Sequence, residues 1–98
     1  MILPEGWFSA DNEDKKRLGN ELKIELITGH KLYSKKIEIV AHRDDATDDV
    51  LCKHIDENDS YSVVHLTWCM KPEIDIKHPL VVMQGSFEDF LAYEAKWL

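Results

Sequence analysis

Glycine is scarce in this 98-residue chain, four residues spread far apart, so no glycine-rich loop is available to wrap a nucleotide phosphate. Cysteine is scarcer still. Cys52 and Cys69 have no C-x-x-C spacing and neither marks a helix start, which argues against a zinc site or a redox pair and for reduced, partly buried thiols. No stretch of 18 apolar residues occurs, and "MILPEGWFSADNEDKK" lacks a basic start followed by an apolar run. A membrane helix and a signal peptide are therefore not expected, and the expected location is cytoplasmic. The three residues "GSF" at 85–87 read as the start of a helix, not as the G-x-S-x-G elbow of a serine nucleophile.

Positive charge is also in deficit, with 12 Lys and Arg against 19 Asp and Glu and a net charge of −7. The imbalance is local: residues 1–43 hold seven acids and eight bases (+1), and residues 44–98 hold twelve acids and four bases (−8). Asp44, Asp45, Asp48, Asp49, Asp56, Glu57 and Asp59 stand against Lys53 alone, a balance of −6 over residues 44–59. Binding to nucleic acid or to an anionic membrane needs Lys and Arg concentrated on one face, so neither partner is expected.

With 44% hydrophobic and 32% charged residues the chain is ordinary globular material, long enough for a single domain spanning residues 1–98. "DNEDKKRLGNELKIELITG" places Leu18, Leu22 and Leu26 four apart, with acids leading and Gly29 following, which predicts a helix from about residue 12 to 27. Gly19 inside it is expected to mark close packing against a sheet. "KKIEIVAHR" alternates Ile37, Ile39 and Ala41 with Glu38, Val40 and His42; "DVLCKHI", "YSVVHLTW" and "PLVVMQ" supply three further strands. The first two are expected to pair around a turn at Ala46-Thr47, with Glu38 near His54 and Val40 near Cys52. The loop from Pro72 to Pro79 is excluded from the sheet. "SFEDFLAYEAKWL" carries Ser86 as N-cap with Asp89 three residues on, and Phe87, Phe90, Leu91, Trp97 and Leu98 form its apolar stripe. The expected fold is α+β: a four-stranded, mainly antiparallel sheet in α-β-β-β-β-α order, with both helices on one face.

The series "GHKLYSKK…VAHRDDATDDVL…YSVVHLTW…SFEDFL" resembles a family of small, stand-alone bacterial proteins without an assigned activity, over roughly residues 18 to 91. The resemblance implies a bacterial cytosolic single domain and assigns no catalytic residue.

Three kinds of site remain to be weighed. The acidic segment lacks the alternating oxygen ligands, turn glycine and closing glutamate of a calcium loop, so it reads as a solvated hairpin edge or as a docking surface for a basic partner. Glu38, His42, His54 and His65 could line a pocket on a free sheet face and do acid-base chemistry, although no H-x-H or H-x-x-x-H spacing supports a metal. Trp7, Phe8 and Trp68 are either core caps or partner anchors.

The expected function is an acidic protein-binding module, not an enzyme and without a cofactor, that neutralises a basic protein in the manner of a toxin-immunity protein. Its seven clustered acids would steer the partner and imitate the phosphates of a nucleic-acid substrate. The rival readings are a small enzyme or ligand-binding domain using the His-lined face, and a homodimer that pairs through the face opposite the helices.

Overall fold

The computed structural model describes residues 2–43, 49–67 and 79–96. Seven elements follow one another: β1 (Trp7–Ser9), α1 (Asn12–Glu25), β2 (Ile37–Arg43), β3 (Asp49–His54), β4 (Tyr61–His65), β5 (Leu80–Gly85) and α2 (Phe87–Ala95). The strands form one sheet in the order β1-β2-β3-β4-β5 with every neighbour antiparallel. β1, at three residues, is too short to show a period of two and has no counterpart among the four expected strands. The expected Ala46-Thr47 turn and most of the Pro72 to Pro79 loop lie outside the described residues, as do Trp68, Cys69, Trp97 and Leu98.

Both helices begin on capping boxes. Asp11 accepts the Asp14 N–H at 2.8 Å while Asp14 accepts the Asp11 N–H at 3.3 Å, and Ser86 and Asp89 repeat the exchange at 3.0 and 2.9 Å. Each exchange satisfies donors that the first helical turn leaves free. The Asp14 carboxyl is held below its ordinary pKa, first by the Asp11 backbone N–H, with His42 and Arg17 adding to the effect against some desolvation. At the other end α1 stops at Glu25, because Leu26 already has extended backbone; Gly29, at φ +101°, serves the turn that follows.

The helices cover opposite faces of the sheet, which overturns the expectation that they share one. Leu18 and Leu22 of α1 pack with Leu32, Ile39, Val50, Cys52, Val64 and Leu66; Phe90 of α2 packs with Trp7, Ala41, Leu51, Tyr61 and Val63. Consecutive strand residues point to opposite faces. Val50 and Cys52 therefore belong to one core and Leu51 to the other, and Val63 and Val64 divide likewise. An unbroken apolar run such as "VLC" or "VV" is what a strand dry on both sides requires. Among the described residues each face of the sheet carries a helix, so the face expected to stay free of helices is covered by one.

Two bulges set which residue faces which helix. Ile39 pairs with Cys52 and Ala41 with Leu51, so Val40 is an extra residue that sends Ile39 and Ala41 to different cores. Likewise Val63 pairs with Met83 and Val64 with Val81, leaving Val82 as the extra residue of β5. The β2–β3 register differs by one residue from the expected one: Ile37, not Glu38, lies opposite His54, and Ile39, not Val40, opposite Cys52. The offset is confined to residues before the bulge, where it exchanges the face of each side chain; past Val40, Ala41 opposite Leu51 and His42 opposite Val50 continue the expected register.

Gly19 also departs from expectation, since a Cβ there would meet nothing within 4 Å; it borders open space rather than a packed sheet. On α2, Leu91 is 37% exposed, and the residue buried beside Phe90 is Glu94.

Phe90 is fully buried at the centre of the second core, so Phe90→Ala should destabilise the protein by about 3 to 5 kcal/mol in urea unfolding, out of a total of about 5 to 15. Burial pushes the Cys52 thiol from its ordinary 9.0 up to about 12. A group whose folded pKa is raised contributes stability that is complete below its unfolded value and lost as pH climbs toward the folded one. The parent should thus lose stability between pH 9.0 and about 12 more steeply than Cys52→Ala, a difference readable by urea titration across that range.

Candidate functional site

Of the seven acids, the four described do not form one surface. Asp44, Asp45 and Asp48 lie outside the described residues. Asp49 opens β3 and is engaged: its Oδ1 accepts from His65 Nδ1 at 2.8 Å and its Oδ2 is 3.4 Å from Arg43 Nε. Asp56, Glu57 and Asp59 are exposed, but they occupy the turn at the far end of β3. Six strand residues separate the two ends by about 20 Å, roughly twice the screening length at physiological salt. Asp59 has a further structural duty, because in left-handed backbone (φ 45°) its Oδ1 accepts the Phe87 N–H at 3.1 Å where α2 begins.

The four residues of the expected pocket are also dispersed. Glu38 forms an exposed ion pair with Lys15 of α1 at 2.9 Å. His42 lies on the α1 side, 3.3 Å from Asp14 and beside the half-exposed Phe8 ring. His65 meets Asp49 on the α2 side. His54 is buried, with Nε2 2.6 Å from Ser62 Oγ, which also accepts from Gln84 Nε2 at 3.1 Å. Glu57 Oε2 lies 3.5 Å from His54 Nδ1, so a serine, a histidine and a carboxylate stand in a row. No substrate can reach that row, because Ser62 has no exposed surface. Among the described residues no three His, Cys, Asp or Glu side chains gather to hold a metal.

Trp7 proves to be core and not a partner anchor. Its ring meets Phe90 edge-on at 5.1 Å, Arg43 lies over it at 5.1 Å, and its Nε1–H donates to Glu94 Oε1 at 2.7 Å. Arg43 donates to the same Glu94 oxygen, while Glu94 Oε2 is buried without a partner. A tryptophan, an arginine and a glutamate from β1, β2 and α2 thereby clamp one end of the second core. His30, which the sequence did not single out, ties another corner: the Leu32 N–H donates to its Nδ1 at 3.0 Å, so its Nε2–H donates to the Pro79 carbonyl at 2.7 Å.

A concave site lies elsewhere, between α1 and the start of β2. A cavity of about 580 Å³ is lined by Lys15, Lys16, Gly19 and Lys23 of α1, by Tyr33, Lys35 and Lys36 ahead of β2, and by Leu22, Leu26, Ile37, Ile39 and Ile55 as an apolar floor. α1 presents Lys15, Gly19 and Lys23 on one face because they are four residues apart. Five of the chain's twelve basic residues thus meet around one groove whose only carboxylate among the described lining residues is Glu38. Charge counting along the chain hid this, since the acids of residues 1–43 cancel those lysines; two of these acids, Glu21 and Glu25, are buried. The KK pairs at 15–16 and 35–36 were the available signal, but twenty residues separate them.

Comparison of the chain with protein-family models, with curated proteins and with solved structures finds no match. No helix among the described residues is long and apolar enough to cross a membrane.

Glu94 is 5% exposed, so removing its cation strands a buried charge. Arg43→Ala should cost about 3 to 5 kcal/mol of unfolding free energy, whereas Arg43→Met combined with Glu94→Leu should return to within about 1 to 2 kcal/mol of the parent. Equal losses in the single and double variants would show that charge pairing is not what the site contributes.

Proposed function

We propose that this protein is a binding module whose groove between α1 and β2 receives an anionic partner. One observation carries the reading: five lysines converge on an apolar floor in a chain whose net charge is −7. Lys16, Lys23, Lys35 and Lys36 have no side-chain partner among the described residues, so no described carboxylate neutralises them. Like charges held together repel, and a bound anion relieves that repulsion while the apolar floor adds burial. Binding is favoured over catalysis because none of His42, His54 and His65 is among the residues that line the groove, and each is engaged by a different neighbour.

A second reading rests on a separate observation, the exposure of Asp56, Glu57 and Asp59 within one turn. That turn is a docking surface for a basic protein, of the kind a toxin-immunity protein would offer. Asp49 is not part of it, because its carboxylate is engaged and it stands at the other end of β3.

Titration of isotope-labelled protein with hexaglutamate and with hexalysine separates the two. Hexaglutamate should move the amide resonances of Lys16, Lys23, Lys35 and Lys36, and about 1 M salt should abolish the effect. Movement confined to Asp56, Glu57 and Asp59 with hexalysine would transfer the function to the acidic turn, and an unresponsive groove would end the first reading.

A further inference from the structure

Resting on the groove reading, we propose that the anionic partner is an extended acidic peptide segment that adds as a strand to the stretch of the β2 edge that no described strand covers. β1 pairs with β2 only at residues 41–43, and the chain leaves that edge where the Ala10 N–H bonds the Val40 carbonyl at 3.0 Å. Residues Ile37, Glu38 and Ile39 therefore have β3 on one side and the groove on the other.

The hydrogen-bond alternation shows which backbone groups face outward. The Ile55 N–H bonds the Lys36 carbonyl at 2.9 Å, so Lys36, and two residues on Glu38, turn their backbone groups toward β3. Ile37 and Ile39 turn their N–H and C=O groups the other way. Among the described residues no backbone or side-chain bond from outside the sheet reaches them. A free strand edge with four such groups is a template for main-chain pairing, and peptides are commonly recognised in this way.

Charge decides which peptide. Lys16 and Lys23 are seven residues apart on α1, about 10 Å of helix, or about three residues of extended chain. Lys35 and Lys36 stand at the near end of the same edge. Carboxylates spaced along a short strand would meet them in turn, whereas a small anion could satisfy the lysines but not the unpaired backbone. A second copy of this chain is a poor occupant, because its β2 edge would bring the same lysines. Glu38 points away from Ile37 and Ile39 by strand alternation, so its ion pair with Lys15 reaches around the edge. With side chains 38% and 44% exposed it is a weak strap that an incoming carboxylate can replace by pairing with Lys15.

Gly19 fits the same picture. It weakens α1, packs against nothing within 4 Å and borders the groove, so its missing side chain keeps the entrance open.

The test uses the intact chain and an acetylated eight-residue peptide of alternating glutamate and valine. At a peptide concentration ten times its Kd, hydrogen exchange at the Ile37 and Ile39 amides should slow by about tenfold. Lys23→Glu with Lys36→Glu should weaken binding by about tenfold or more, and Gly19→Leu, whose side chain has open space to enter, should fold like the parent yet exclude the peptide. If the peptide binds but those two amides are unprotected, or if a version N-methylated at alternate residues binds equally well, strand addition is wrong while the groove remains an anion site. If neither this peptide nor hexaglutamate binds, both the strand pairing and the groove reading fall together.

Discussion

β3 is the middle strand of five, and its residues Val50, Leu51 and Cys52 are buried on both faces of the sheet. That constraint organises the rest of the molecule. A strand buried on two sides needs two separate covers, and a chain of 98 residues supplies them with one helix from each end. Burying apolar surface on both sides of a sheet is how so short a chain builds enough core to offset the entropy of ordering its backbone. The two bulges follow from the same demand, since Val40 and Val82 let the outer strands change which residues they offer each helix.

Covering both faces leaves little room for polar chemistry inside, and the buried polar groups are structural ties. Glu94 gathers Trp7 and Arg43, His30 joins a turn to the residue before β5, and Glu25 Oε1 accepts the Thr67 N–H at 2.9 Å at the end of β4. In a low-dielectric interior such groups are stabilising only when paired, which makes each of them a constraint on which elements can meet. The histidine row with Ser62 belongs to this class, because a hydroxyl without exposed surface can order strands but cannot attack a substrate.

Function is left to the margins of the sheet, and there charge is segregated. The β3–β4 turn carries Asp56, Glu57 and Asp59, while the α1–β2 groove carries five lysines over an apolar floor. Concentrating like charge beside a free strand edge does two things at once. Under the proposed strand addition it would repel basic strands and admit acidic ones, so protection against indiscriminate pairing and selectivity for an acidic segment would have the same physical source.

Much of the fold was legible in the amino-acid sequence because it depends on neighbours along the chain. The two helices, their N-caps Asp11 and Ser86, and the existence of β2, β3, β4 and β5 follow from local periodicity and capping chemistry. β1 did not show itself, because three residues cannot display a period. Which face each helix covers, the one-residue register of β2 on β3 and the bulge at Val40 were decided only in the tertiary structure, since each depends on a partner strand or helix distant in sequence. The candidate site belongs to that second group. Seven clustered acids were visible as a run, yet β3 separates those described; five lysines were scattered from residue 15 to residue 36, and the packing of α1 beside β2 brings them together. Sequence determines which charges the chain carries, but Coulomb energy depends on distance in space, and only the folded chain sets those distances.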